Sequence, residues 1–334
     1  MTVVVIGGGM AGVAAAVAAR QGGRHVVLLE RSRILGGEAV RDGHRTLCGL
    51  APIDAAFPDL LEPELTGPWV PRLTTGAPFR RGRVWLWPTH PGQLLAGLTR
   101  GLADAGVEVR LGVEARLGAE GLVEMTTGNL HPRTVIDASG MALAQGRHRP
   151  PAQWGACRLE LTAPIEDTPE GQRRALRRLA HLTPWAALES LGSGRWQLSL
   201  DIPDPAPATT QDCAEAAVAA LGGILETPVV TVASRDAGGY AGISMADLFD
   251  VDQRGLAWAA WPSEVHEATG VRWTWPPRDR HGMPLSLVKP ADAPPWLWCC
   301  GRGLAAAPDA AGALRVTGTA LALGSALGRL VSSG

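Results

Sequence analysis

Lysine is nearly missing from this chain of 334 residues, occurring once at Lys289. Tyrosine also occurs once, at Tyr240, and phenylalanine three times, against twelve tryptophans. Almost all positive charge is therefore arginine. The 31 basic and 32 acidic residues leave a formal net charge of −1. That balance supplies no overall electrostatic drive toward nucleic acid or an anionic membrane. The five cysteines (Cys48, Cys157, Cys213, Cys299, Cys300) are odd in number and contain no C-x-x-C. Neither a disulfide framework nor a metal site is expected, and the chain reads as cytoplasmic. No apolar run reaches about 18 residues, so no membrane span is expected. The apolar N-terminus lacks a basic region and is broken by glycines at 7, 8, 9 and 12, unlike a signal peptide. No solenoid period is present. What remains is a chain with 46% hydrophobic residues, enough for a large core. At about 150 residues per domain, its length predicts roughly two domains.

The first thirty residues carry a strong local signal. Thr2-Val3-Val4-Val5-Ile6 reads as a buried parallel strand. An Ala/Val-rich helix follows Gly7-Gly8-Gly9-Met10-Ala11-Gly12, and His25 to Glu30 reads as the next strand. This is G-x-G-x-x-G at positions 7, 9 and 12 within a strand–turn–helix–strand unit. Gly7 permits the tight turn, Gly9 lets backbone approach a pyrophosphate, and Gly12 lets the helix pack closely on the strand. Met10 and Ala11 then open a helix whose free N–H groups and dipole face the phosphates. Glu30, at the end of the second strand, can accept both hydroxyls of an adenosine ribose and repels a 2′-phosphate. These residues predict a dinucleotide site and leave NAD and FAD open.

Past Glu30-Arg31 comes a second glycine pair, Gly36-Gly37. This extended pattern resembles the fingerprint of FAD-binding flavoproteins of the glutathione-reductase structural class. Two further segments fit that class: a strand near Val109 leading to Val113, and Thr134 to Asp137 followed by Ala138-Ser139-Gly140. At the C-terminus, Trp296 to Cys300 stops at Gly301-Arg302, and Arg315-Val316 leads a small-residue helix from Thr317 to about Leu330. That resembles the closing motif of FAD-dependent oxidoreductases related to fumarate-reductase and succinate-dehydrogenase flavoproteins. Looser similarities lie at Ser234-Arg235-Asp236 with Gly239-Tyr240 and Asp247, at Trp261 to His266, and at His281 to Leu285. The resemblance implies FAD, held by Gly7, Gly9, Met10, Ala11, Gly12, Glu30, Arg31, Gly36, Gly37, Val113, Ala138, Ser139, Gly140, Gly301, Arg302, Arg315 and Val316. The last helix would point its positive end at the flavin.

The predicted fold class is α/β: a Rossmann-like FAD-binding domain of glutathione-reductase type with an inserted α+β cap or substrate domain. The cofactor domain is discontinuous, over 1–50, 88–145 and 288–334. Residues 51–87, rich in proline, read as a connection over the flavin. Residues 146–287 read as the substrate or cap domain, because Arg158 to Thr162, Arg195 to Leu200 and Val271 to Trp275 alternate with period two.

Candidate catalytic residues are His44, Arg45 and Cys48 in the loop past the glycine pair, and Arg280-His281 before the last strand. His44 could move a proton, Arg45 hold an anion, and Cys48 act as a nucleophile. Each reads equally as a polar loop or buried structural residue. His266 reads as structural, the arginines at 173, 174, 177 and 178 as a solvated helix face, and most tryptophans as core. No second G-x-G-x-x-G exists for a separate nicotinamide domain. No C-x-x-x-x-C supplies a redox disulfide. Gly301-Arg302 stands where aromatic hydroxylases resemble one another in having Gly-Asp. The expected activity is hydride transfer between an organic substrate, small molecule or peptide, and flavin N5. The alternatives are a flavin-dependent monooxygenase, or a flavoprotein acting as redox or maturation partner of another protein.

Overall fold

The computed structural model describes residues 2–141, 143, 155–202, 207–227, 229–233, 240–267 and 270–334. The chain divides into two compact units, one of residues 1–149, 237–264 and 273–334, the other of 150–236 and 265–272.

The first unit is built on a five-stranded parallel sheet. Its strands are β1 (Thr2–Ile6), β2 (His25–Glu30), β3 (Glu108–Leu111), β4 (Thr134–Asp137) and β5 (Leu297–Cys299), in the spatial order β5-β4-β1-β2-β3. Val3 to Ile6 and Val26 to Glu30 are all buried, as continuous β-branched and apolar runs require when both faces are covered. Strand order reverses at β1, which has β2 on one side and β4 on the other. In such sheets ligands gather beyond the carboxyl ends at that reversal.

Helix α1 (Met10–Gln21) joins β1 to β2 and is buried almost throughout. A short helix α2 (Gly37–Arg41) follows β2. Helix α3 (Pro91–Ala105) buries Leu94, Leu98 and Leu102 at i, i+4 spacing, is capped by the His90 ring, and ends at Gly106 with φ +70°. Helices α4 (Pro308–Leu314) and α5 (Thr317–Ser333) close the unit, and Leu314, Leu321, Leu323 and Leu327 lie in the main core. No single described helix is long and apolar enough to cross a membrane; α4 and α5 pass that test only as a pair bent by 91°.

Two domain expectations are corrected. Residues 51–87 are no loose connection: they form two short helices and two strands, with Leu65, Trp69, Leu73 and Trp87 in the core. Glu62 pins them, its buried carboxylate accepting from Arg254 Nε at 2.8 Å and from the Trp258 amide at 2.7 Å. Residues 237–264 and 273–287 belong to the cofactor unit and not to the cap. The apolar partners of strand 257–259 and of His281–Met283 lie in the parallel-sheet core, which period-two patterning cannot reveal.

The second unit is an antiparallel sheet with two helices. Strand Arg195–Ile202 lies between Ala186–Gly192 and Gly155–Thr162, with Leu159 opposite Leu198 and Leu161 opposite Trp196. Helices Pro169–Leu179 and Pro207–Leu221 cover the Leu198 face. The hairpin turn at Gly192–Gly194 is as expected, with positive φ at all three residues. The expected exposed face is absent on the central strand: Gln197, Ser199 and Asp201 are buried too. Arg173, Arg174 and Arg177 form a solvated helix face paired with Glu166 and Glu170 at 2.6 to 3.3 Å.

Candidate functional site: a bed for an extended dinucleotide

The turn after β1 is closed on two sides and open on one. Gly7 has φ +114°, and a side chain there would strike the Ala138 carbonyl oxygen. A Cβ at Gly12 would strike the carbonyl oxygen of Gly7. A Cβ at Gly9 would meet nothing within 4 Å. The open side is thus the one that the fingerprint assigns to pyrophosphate. Helix α1 starts there without a side-chain cap or an acidic residue in its first turn. Its first internal bond is from the Val13 amide to the Gly9 carbonyl, at 2.9 Å, so the amides of Met10, Ala11 and Gly12 stand ahead of it. The second glycine pair walls the same turn. Gly36 donates its amide to the Gly8 carbonyl at 2.8 Å, and a Cβ on Gly37 would lie 3.2 Å from Gly9 Cα. These features fit a diphosphate bound through backbone amides.

At the adenosine end, Glu30 is 6% exposed. One carboxylate oxygen accepts the Gly8 amide at 2.6 Å and the other the Ser32 amide at 2.7 Å. Each oxygen keeps a further lone pair for a ribose hydroxyl. The carboxylate therefore organises the turn as well as offering acceptors. Val113 lies beside it, donating to the Glu30 carbonyl at 3.0 Å, and the exposed Arg31 reaches Met141 Sδ at 3.6 Å.

Ala138-Ser139-Gly140 forms a tight turn organised by Asp137, a residue to which the sequence alone assigns no role. Its fully buried carboxylate accepts the Ser139 amide at 3.0 Å, the Ser139 hydroxyl at 2.6 Å and the Leu143 amide at 2.8 Å. The signal in the sequence is Asp followed two residues later by Ser, a local side-chain–backbone turn. Gly140 abuts Arg302, and Gly301, at φ +66°, abuts Ala11 in the first turn of α1. The Arg302 guanidinium pairs with both Glu38 oxygens, at 2.6 and 2.5 Å. It therefore braces the wall formed by α2.

Helix α5 extends the bed. Its Gly324 fits against the Ala11 carbonyl, its Gly328 against the Ala15 carbonyl, and its Ser332 against Gly22. Contacts advance together along both chains, so α5 and α1 run parallel. Thr317 lies seven residues before Gly324, about 10 Å of helix. The positive end of α5 thus overhangs that of α1 by two turns. There the Gly318 amide donates to the Cys48 carbonyl at 2.8 Å, and the Cys48 amide donates to the Thr317 hydroxyl at 3.1 Å. Gly49, at φ +73°, passes under Val316, where a Cβ would lie 2.7 Å from Cγ2. Arg315, just before α5, pairs with Glu264 at 3.0 Å, both side chains 14% exposed. The Thr319 hydroxyl and the Trp261 indole nitrogen are buried without hydrogen-bond partners among the described residues.

The catalytic candidates separate. His44 and Arg45 are half-buried on the approach to Cys48, with the Arg45 carbonyl accepting the Thr89 amide at 2.7 Å. Burial pushes the Cys48 thiol up to about 11, against the hydrogen bonds of Thr317, with Glu264 raising and Arg315 lowering it slightly. It stays protonated at neutral pH, which corrects the nucleophile expectation. Arg280 is exposed and stacks at 5.0 Å over Trp258. His281 is wholly buried, 5.1 Å from the Phe249 ring, and burial pushes it down to about 4. Adjacent residues on an extended chain face opposite ways, so these two form no common Arg/His site. In the second unit, His266 Nδ1 lies 2.6 Å from Asp201, with Trp185 edge-on at 5.4 Å. Asp201 carries no sequence signal, since alternation places it on an exposed face. Ser234, Arg235, Asp236 and Gly239 lie outside the described residues.

Residues 2–144 match the model of a family described as FAD dependent oxidoreductase. Over this stretch, less than half of its length, the chain resembles FAD-dependent oxidoreductases. The match implies FAD as the cofactor, and the bed described above is the candidate site for it. No curated protein matches the chain. Among solved structures, FqzB matches at 17% identity and TM-score 0.46, over 73% of this chain and 65% of its own. OxyS anhydrotetracycline hydroxylase from Streptomyces rimosus matches at 17% identity and TM-score 0.45, over 70% of this chain and 52% of its own. A flavoprotein/dehydrogenase from Cytophaga hutchinsonii matches at 16% identity and TM-score 0.43, over 72% and 69%. The chain thus spans less than two thirds of the first two of these structures.

Proposed function

We propose that the protein moves a hydride between an organic substrate and the flavin of a bound FAD, on a fold of glutathione-reductase type. One observation carries this reading: two parallel helices present their positive ends to one elongated bed, offset by about 10 Å. An offset of that size suits a cofactor whose diphosphate and redox-active ring lie well apart. Glu30 holds the adenosine ribose, with Arg31 and Val113 beside it. The amides of Met10 and Ala11 and the open side of Gly9 hold the diphosphate. Gly301 leaves room beside Ala11 for the chain linking diphosphate to ring. Val316 and the first turn of α5 hold the ring edge on which negative charge develops during reduction. When bound, FAD supplies the hydride acceptor and donor. The protein contributes position, electrostatics and exclusion of water. Cys48 and Thr317 fix the loop that carries His44 and Arg45, which are left as the groups to move a proton or hold an anionic substrate, a small molecule or peptide.

The test starts from the purified protein. It should be yellow, and acid or heat should release FAD. Anaerobic reduction by substrate, without oxygen-dependent consumption of a nicotinamide donor, is expected. Oxygen-dependent donor consumption coupled to hydroxylation would replace this reading with the monooxygenase. A folded protein that neither contains nor binds FAD would end both.

A further inference from the structure

The Glu264–Arg315 pair sits where α4 hands over to α5, and nothing in the FAD-binding fingerprint calls for it. Its placement is rigid. The Glu264 backbone lies against Gly312, where a Cβ would come within 2.8 Å of the Glu264 carbonyl oxygen and 3.0 Å of its nitrogen. The preceding Ser263 hydroxyl donates to the Asp309 carbonyl at 2.6 Å. Ser263 and Glu264 are therefore clamped on α4, and Arg315 follows Gly312 by three residues, one helical turn. The guanidinium meets the carboxylate at 3.0 Å in a site where both side chains are 14% exposed. Water screens charges poorly there, so what Arg315 presents to its surroundings depends on its partner.

We infer that Glu264 is a tuning residue: by holding and neutralising Arg315 beside the positive end of α5, it keeps the bound flavin harder to reduce than the arginine alone would. This rests on the proposed placement of the flavin ring at the start of α5. The pair gives a dipole in place of a net cation, leaving the helix end as the main source of positive potential at that point. It also lets the protein carry an arginine at the ring for orientation without the full electrostatic consequence of its charge.

The experiment uses the FAD-loaded full chain and two readouts that need no substrate: the flavin midpoint potential by dye equilibration, and the affinity of the oxidised flavin for sulfite. Glu264→Gln keeps the shape and removes the charge. It should raise the potential and tighten sulfite binding by about tenfold, the scale of one uncompensated charge at several ångströms. Arg315→Gln, which removes the positive charge and keeps the Glu264 carboxylate, should move both readouts the opposite way. The double substitution should return them toward wild type. If either single variant is too unstable to study, the other together with the double variant still fixes the sign. Unchanged readouts in FAD-loaded variants, or shifts of one sign in both, overturn the inference while leaving the FAD reading intact. A colourless wild-type protein overturns that reading and this inference together.

Discussion

At the Gly7–Gly12 turn almost every contact is made by backbone, and the side chains that matter are the ones left out. At the start of α5 the contacts come from side chains: the Thr317 hydroxyl on the Cys48 amide, Val316 over Gly49, and Arg315 on Glu264. The first arrangement suits a group common to all dinucleotides, so one local stretch of chain suffices to make it. The second assembles residues near positions 48, 264 and 316. It can therefore differ between proteins that share the first. On the proposed placement of FAD, affinity for its constant part and control of its reactive part fall to regions of different construction.

The sharpest way to break this contrast is Gly12→Ala. The new Cβ would run into the Gly7 carbonyl, backbone that cannot move without shifting β1. We expect a loss of about 3 kcal/mol or more, seen as a collapse of soluble, thermally stable protein. Glu30→Ala comes next. It should weaken FAD binding by about 1–3 kcal/mol in a titration, and lower apoprotein stability as well, because the Gly8 and Ser32 amides lose their acceptor. Gly9→Ala separates binding from folding. With open space around its Cβ, the apoprotein melting temperature should hold, while FAD affinity falls about tenfold, 1.4 kcal/mol. Equal FAD affinity would move the diphosphate elsewhere.

Arg315→Ala should leave ADP affinity within about twofold while shifting the flavin spectrum and potential, since only the distant end is altered. A loss of ADP binding would join the two regions that the structure holds apart. The smallest effect is that of Cys48. A thiol raised from 9.0 to about 11 on folding favours the folded state while protonated. That contribution is complete below pH 9 and is lost as pH climbs toward 11. Alkylation by iodoacetamide should be slow at pH 8 and rise about tenfold per unit through that window, following the thiolate fraction. Fast modification at pH 7 would contradict the raised thiol.

Much of the candidate bed is legible in the amino-acid sequence. Gly7, Gly9, Gly12 and Glu30 are required by steric and hydrogen-bonding rules that operate within thirty residues, so spacing alone reveals them. The Gly36–Gly37 pair is legible too, though only the fold shows it pressed on Gly9. Asp137 escapes notice in the sequence because its role is to bond its own turn. Arg302 reads there as a cofactor ligand, and its partner Glu38 comes into view only once α2 is placed beside Gly301. His281 and Arg280 are adjacent in sequence, and burial separates their fates.

By itself, then, the sequence determined the parallel-strand unit, its nucleotide turn and the small-residue helix at the C-terminus, all governed by local periodicity and glycine sterics. The tertiary structure alone decided that α5 runs parallel to α1 with a two-turn overhang, that 240–264 packs with the parallel-sheet unit, and that Glu264 pairs with Arg315. Those outcomes depend on contacts between residues far apart in the chain, where packing of surfaces and the low screening of buried charge set the energy, and neither leaves a period in the sequence.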